Sequence, residues 1–261
     1  MLRALDDKLY DFITLDRLNE AILKNEILLF YQPKMKINYI NKNYEVQGIE
    51  ALIRWFDSKL GYIEPNKIIS IAKKKGIIVH LGKWIFDRAF KDMKSIKEKS
   101  NGNIKLVLNI SLEELKNSSF IKNLIEISLV NNFLLSNLEL DIKDNVDSKL
   151  AESLKLVFTK LKSLGVSIVL DDYGSYHECL EFVTNNDVDG IKLDSYIIDT
   201  SEKDTTLKMI VYNLHRLGKK VIAEGVETKE QFEIVKYYGC DEAQGYFLCE
   251  PLKLEEIIEI L

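Results

Sequence analysis

The sequence predicts an α/β fold, a (β/α)8 TIM-like barrel. Three observations carry this prediction. Eight short apolar runs of β type recur along the chain, and helical patterns separate most of them. The whole spans 261 residues, which matches the size and rhythm of such a barrel. An open doubly wound sheet shares that alternation, but its glycine-rich phosphate turn is missing. Nothing here reads G-x-G-x-x-G or G-x-x-x-x-G-K-[ST].

The strand candidates are ILLFYQ (27–32), QGIEALIR (47–54), IKLVLNI (104–110), NLELDI (137–142), VSIVLD (166–171), GIKLD (190–194), KVIAE (220–224) and EAQGYF (242–247). Between the second and third, Leu81, Trp84, Ile85, Ala89, Met93 and Ile96 fall on one helical face. Leu150, Leu154, Val157, Leu161 and Leu164 do the same between the fourth and fifth. Two heptads are too few for a coiled coil, so both read as helices packed on a sheet. Lys73, Lys74 and Lys75 precede Gly76, the pattern of a helix C-terminus whose partial negative charge favours cations. With three prolines and no Gly/Ser-rich linker, one barrel domain is expected over 25–261, after a helical lead-in over 1–24.

Composition narrows the function. Hydrophobic residues at 46 % and charged residues at 30 % support a sizeable core and exclude a disordered chain. The net charge of −5 offers no basic field for DNA or RNA. Cysteines at 179, 240 and 249 form no C-x-x-C pair, which argues against a zinc ribbon or disulfide framework and for a reducing, cytoplasmic setting. The acidic start MLRALDDKLYDF does not read as a signal peptide, and no run approaches the roughly 18 apolar residues of a membrane span.

The informative pattern lies where the strands end. Glu50, Asn109, Asp141, Asp171, Asp172, Lys192, Asp194, Glu224 and Gln244 all sit in or just after apolar strand runs. A polar group there is costly unless paired or coordinated. For any one of them, a hydrogen-bonded strand end is explanation enough; seven strands doing it together point to the C-terminal rim of a barrel, where active sites lie. The carboxylates at 50, 141, 171, 172 and 224 and the Asn109 amide oxygen, with almost no histidine, make a hard all-oxygen set suited to Mg²⁺ or Mn²⁺. Consecutive Asp171 and Asp172 could serve two ions, a pair that activates water against a phosphodiester. Lys192 and Asp194, two apart, would face the same side.

These residues carry a family resemblance. Glu50-Ala51-Leu52-Ile53-Arg54-Trp55 resembles the signature of the EAL-domain family, whose active members are cyclic di-GMP phosphodiesterases. Over about residues 25–255, further stretches are similar to that family's motifs, and in the same order. They are Tyr31-Gln32-Pro33, Asn109-Ile110-Ser111, Asp171-Asp172-Tyr173-Gly174, Lys192-Leu193-Asp194, Ala223-Glu224-Gly225-Val226-Glu227 and Gln244-Gly245-Tyr246. The resemblance implies an EAL-type barrel hydrolysing cyclic di-GMP to linear pGpG with two divalent cations, Mg²⁺ or Mn²⁺. Glu50, Asn109, Asp141, Asp171, Asp172 and Glu224 would hold the ions. Lys192 would assist the attacking water, with Glu227 as support behind the ligands. Gln32, Arg54, Asp194 and Gln244 would hold the substrate. A homodimer and an attached or partner sensory domain also follow from the resemblance.

The chain also departs from the family pattern. Asp141-Ile142-Lys143-Asp144 stands where the family has E-[IL]-T-E, so one ligand is a methylene shorter and Lys143 replaces a small hydroxyl residue. The loop after Asp172 carries Tyr176, His177, Glu178 and Cys179 in place of small and polar residues. These changes favour a second reading, a catalytically weak or inactive domain acting as a cyclic di-GMP receptor or protein-interaction module. If strand geometry persists beyond Asp141, Lys143 faces the ions. A two-carboxylate glycosidase is a more distant alternative, since it needs neither consecutive aspartates nor the lysine.

Overall fold

In the chain's central strands, polar and apolar side chains alternate so that one set faces inward and the other packs against helices. The computed structural model describes residues 11–37, 44–100, 104–143, 148–173, 183, 187–200 and 206–261. Strand β1 (Ile27–Ile37) runs antiparallel to β2 (Tyr44–Asp57), with Gln32 opposite Glu50. From β2 the sheet continues in parallel through β4 (Lys105–Ile110), β5 (Leu138–Ile142), β6 (Ser167–Tyr173), β7 (Gly190–Leu193), β8 (Lys220–Ala223) and β9 (Glu242–Ala243). Antiparallel pairing of β9 with β1 closes eight strands into a barrel. The short β3 (Gly61–Ile63) pairs only with the end of β2, at Trp55–Asp57.

The barrel thus departs from a uniform parallel one at its first strand. Only residues 38–43 join β1 to β2, too few for a parallel crossover, which needs a dozen or more residues. The last strand is also shorter than the expected 242–247. At Gly245 the backbone passes against Val226, where a side-chain carbon would meet the Val226 carbonyl oxygen at 2.1 Å. The pairing is continued there by loop hydrogen bonds, from Val226 N to Gln244 O and from Phe247 N to Val226 O. Asp194 and Glu224 fall one residue beyond their strands.

Helices cover the outer face. Helix α1 (Leu15–Leu23) is capped by Thr14, and α2 (Pro65–Lys74) opens on proline and closes on Lys73 and Lys74. Helix α3 (Ile78–Lys99) buries Leu81, Ala89, Met93 and Ile96, the face read from the spacing. Next come α4 (Leu112–Leu115), α5 (Phe120–Val130) and α6 (Ser148–Ser163), which buries Leu154 and Leu161. The remainder are α7 (Ser195–Thr200), α8 (Thr206–Arg216), α9 (Lys229–Tyr238) and α10 (Leu254–Ile260). The lead-in is tied to the barrel through Arg17, which bonds to Glu26 and Asp57 and lies over the rings of Phe12 and Trp55. Among the described residues no helix is long and apolar enough to cross a membrane.

The barrel interior is not purely apolar. Glu139 and Asp141 alternate along β5, and both are buried. Glu139 bonds to the ammonium of Lys34, which also lies 3.0 Å from Glu242; Lys220 reaches the other oxygen of Glu242 at 2.5 Å. Burial opposes the charge on Lys34, yet Glu139 and Glu242 outweigh it and hold its pKa above the usual lysine value. Lys34→Met keeps the stem and removes the ammonium, leaving two buried carboxylates without it. Urea unfolding should become easier by about 3–5 kcal/mol. Burial likewise opposes the charge on Glu242, but Lys34 and Lys220 outweigh it and depress its pKa. Such a group stabilises the fold above its ordinary pKa and loses that contribution as pH falls through the depressed value. Wild type should lose this part of its stability in acid, and Lys34→Met should show less of the loss. Equal urea midpoints for the two proteins near neutrality would contradict the pairing.

Candidate active site

At the opposite end of the same interior, residues of six strands converge. Lys192, wholly buried on β7, places its Nζ 2.7 Å from Asp141 Oδ2, 3.1 Å from Glu50 Oε2 and 4.0 Å from Glu224 Oε2. Glu50 is held from three directions. Its Oε1 accepts from Asn109 Nδ2 at 2.5 Å, and its Oε2 accepts from Gln244 Nε2 at 2.7 Å and from Lys192. Gln244 also donates to Gln32 Oε1, and Gln32 donates to the Cys249 carbonyl. One network therefore joins β1, β2, β4, β5 and β7 to the residue just after β9. Asp171, buried at the end of β6, has its Oδ2 3.6 Å from Lys143 Nζ.

The electrostatics follow from putting several carboxylates beside one ammonium. Burial opposes the charge on Lys192, but Asp141, Glu50, Glu224 and Asp171 hold its pKa well above the ordinary value. Glu50 is pushed up by burial, but Lys192 and the amide donors win and leave it below the usual range. For Asp141 burial wins, with Lys192 only partly opposing, and the pKa rises to about 7. Burial raises Glu224 to about 8, Lys192 opposing and Asp171 adding to the rise. The lysine thus satisfies Glu50 and leaves Asp141 and Glu224 holding their protons up to about 7 and about 8.

A cavity of 680 Å³ opens above this ring. Gln32, Glu50, Asn109, Lys143 and Glu224 form its polar end, and Arg54 lines its side. Its other wall comes from helices: Pro65, Asn66, Lys73 and Lys74 of α2, and Ile78, Ile85 and Phe86 of α3. Arg54 lies over the Phe30 ring at 5.8 Å and donates to the Ile53 carbonyl. Gly82 of α3 leaves room for the buried Glu114 carboxyl, which would meet any side chain there.

The expected site residues divide accordingly. Gln32, Glu50, Asn109, Asp141, Asp171, Lys192, Glu224 and Gln244 are brought together, with Arg54 beside them on the cavity wall. For Asp194 and Glu227 the contacts described are local to their turns. Beyond the end of β7, Asp194 accepts from Tyr196 N at the start of α7, and it does not line the cavity. Glu227 is exposed ahead of α9, with its N–H donated to Gln231. The backbone of Asp172 continues β6, while its side chain lies outside the described residues, as do Asp144, Tyr176, His177, Glu178 and Cys179. No sequence pattern marks the wall from α2 and α3, apart from the lysines that end α2.

The ring suits a hard cation in its donor chemistry. It offers only oxygen ligands, and among the described residues the buried Asp141 Oδ1 has no hydrogen-bond partner. Among the described residues no three His, Cys, Asp or Glu side chains converge closely enough to hold a metal ion as they stand. Lys192 draws Asp141, Glu50 and Glu224 toward itself instead.

Comparison with known proteins gives the same outline. Residues 15–251 match the family model described as EAL domain. The bifunctional diguanylate cyclase/cyclic di-GMP phosphodiesterase MucR of Pseudomonas aeruginosa is 27 % identical over 92 % of this chain, which spans 35 % of MucR. Cyclic di-GMP phosphodiesterase PdeR of Escherichia coli is 26 % identical over 95 % of this chain, which spans 37 % of PdeR. The solved PaMucR phosphodiesterase in complex with c-di-GMP matches with a TM-score of 0.84 at 27 % identity, covering 93 % of this chain and 98 % of that one. The chain thus spans little more than a third of the two curated relatives.

The raised carboxyls make a prediction. Asp141 and Glu224 have ordinary values of 3.8 and 4.5, and the folded chain holds their protons up to about 7 and about 8. Their contribution to stability is present below the ordinary values and lost as pH rises through the folded ones. Metal-free protein should therefore melt lower at about pH 9 than at about pH 6. Glu224→Gln should flatten that slope, and Mn²⁺ should raise the melting temperature most at high pH. Equal wild-type and Glu224→Gln slopes without metal would contradict the assignment.

Proposed function

Because this chain belongs to the EAL domain family, we propose that it hydrolyses one phosphodiester of cyclic di-GMP to give linear pGpG. The observation that carries this reading is the convergence of Glu50, Asn109, Asp141, Asp171, Glu224 and Lys192 beneath one cavity. In it, Glu50, Asn109, Asp141, Asp171, Asp172 and Glu224 would hold two divalent cations, Mg²⁺ or Mn²⁺. When bound, such cations supply Lewis acidity toward the phosphoryl group and the attacking water.

The chain's own residues do the rest. Lys192 stays an ammonium because its carboxylate neighbours hold the proton on it. It therefore acts as a hydrogen-bond donor that orients the attacking water, and not as the base that deprotonates it. Arg54, on the cavity wall, presents a cationic fork to phosphate. Gln32 and Gln244, bonded to each other and to Glu50, fix the carboxylate and present amides to the substrate. Asp194 would contribute to substrate binding and Glu227 to the support behind the ligands, each from the turn that holds it.

The proposal extends to the chain's setting. Buried Cys240 and partly exposed Cys249 are free thiols, which supports a reducing cytoplasm. The greater length of the relatives supports an attached or partner sensory domain, and a homodimer belongs to the same reading. Residues 25–261 would be the barrel unit and 1–24 its lead-in. One observation favours the second reading, a non-catalytic cyclic di-GMP receptor: Lys143 lies beside Asp171, one of the proposed ligands.

Incubation with cyclic di-GMP and Mg²⁺ or Mn²⁺, with products separated by chromatography, decides between them. The proposal predicts pGpG, its loss in excess EDTA, and suppression by Ca²⁺, whose longer and looser bonds position water poorly. Glu50→Gln should reduce turnover by more than the roughly 10–100-fold that loss of an outer partner costs. Arg54→Ala should chiefly weaken nucleotide binding. Tight binding without product would establish the receptor; full turnover in EDTA or in Glu50→Gln would refute the ligand assignment.

A further inference from the structure

We infer that Lys143 is a built-in competitor for the metal end of the cavity, a counter-ion that sits against Asp171 and must be displaced before a divalent cation binds there. The inference rests on reading the carboxylate ring as a metal site. Two ammonium groups approach that ring, and they differ in kind. Lys192 is wholly buried and held by acids on three neighbouring elements. Lys143 follows the last residue of β5 and stands at the cavity mouth with its side chain 49 % exposed. Its Nζ lies 3.6 Å from Asp171 Oδ2, and the Asp171 side chain is only 1 % exposed.

Burial explains why the contact forms. A carboxylate as enclosed as that of Asp171 is costly unless a positive charge compensates it. Lys143 supplies that charge from the solvent side, half exposed at the cavity mouth. A divalent cation arriving at Asp171 meets a ligand already compensated and an ammonium that repels it. Displacement costs little, since a half-exposed lysine returns to water almost freely. Lys143 therefore weakens metal binding without blocking it. Lys192 cannot play this part, because leaving the ring would mean crossing the barrel interior.

The test is calorimetric titration of Mn²⁺ into the metal-stripped full chain at fixed pH and ionic strength. Three proteins are compared: wild type, Lys143→Met, which keeps the stem without the charge, and Lys143→Arg, which keeps the charge. Lys143→Met should bind Mn²⁺ about tenfold more tightly, equivalent to about 1.4 kcal/mol, while Lys143→Arg should stay near wild type. Thermal melting gives a second readout independent of turnover. Lys143→Met should melt lower than wild type without metal and gain more from saturating Mn²⁺. Superimposable wild-type and Lys143→Met titrations with clear binding in both would overturn this inference and leave the metal site standing. Absence of Mn²⁺ binding in all three would overturn the metal reading, and this inference with it.

Discussion

Four acids, Glu50, Asp141, Asp171 and Glu224, share the end of a barrel in which, among the described residues, one buried ammonium, Lys192, faces them. This imbalance is the constraint on which the rest of the site depends. Removing charges from water costs several kcal/mol per ion unless partners compensate them. The protein answers in three ways. It gives Glu50 both the lysine and two amides, it lets Asp141 and Glu224 titrate near neutrality, and it brings Lys143 to Asp171 from outside. A ring in that condition accepts further positive charge, which is what phosphodiester hydrolysis with divalent cations demands.

The scaffold that enforces this arrangement is itself polar inside. Along β5, Glu139 serves a lower cluster with Lys34 and Glu242, and Asp141 serves the upper one. Because side chains alternate along a strand, a one-residue slip would turn both acids outward and strand both lysines. The two clusters therefore make the register of β5 against β4 and β6 consequential for the site. The antiparallel β1 contributes to both layers, with Gln32 above and Lys34 below. Closure of the barrel through β1 is thus part of the site's construction.

Much of this was legible in the residues. Acids and amides at the ends of apolar runs are conspicuous because such positions are costly without a reason, and Glu50, Asn109, Asp141, Lys192 and Gln244 do meet. Lys143 was legible too: it falls one residue beyond the end of β5, yet its ammonium still reaches Asp171 at the ring. Strand direction was not, because alternation reads the same forward and backward; only the short connection at 38–43 hints that β1 is antiparallel. The last strand appeared longer than it is because Gly245 continues an apolar run while the backbone turns against Val226. Asp194 reads as a strand-end residue and Glu227 follows from the resemblance alone; both lie in turns beyond β7 and β8, where alternation along a strand no longer says which way a side chain faces. The wall from α2 and α3 depends on where helices cross the barrel rim, which no local pattern encodes.

The account's central claim is that Lys192 supplies the fixed positive charge around which the carboxylates are arranged. Chemical unfolding of Lys192→Met, with and without Mn²⁺, tests it directly. Without metal the variant should lose about 3–5 kcal/mol relative to wild type, because a methionine leaves Glu50 and Asp141 buried and uncompensated. Saturating Mn²⁺ should restore most of that loss by supplying the missing charge. A metal-free Lys192→Met protein as stable as wild type would contradict the claim.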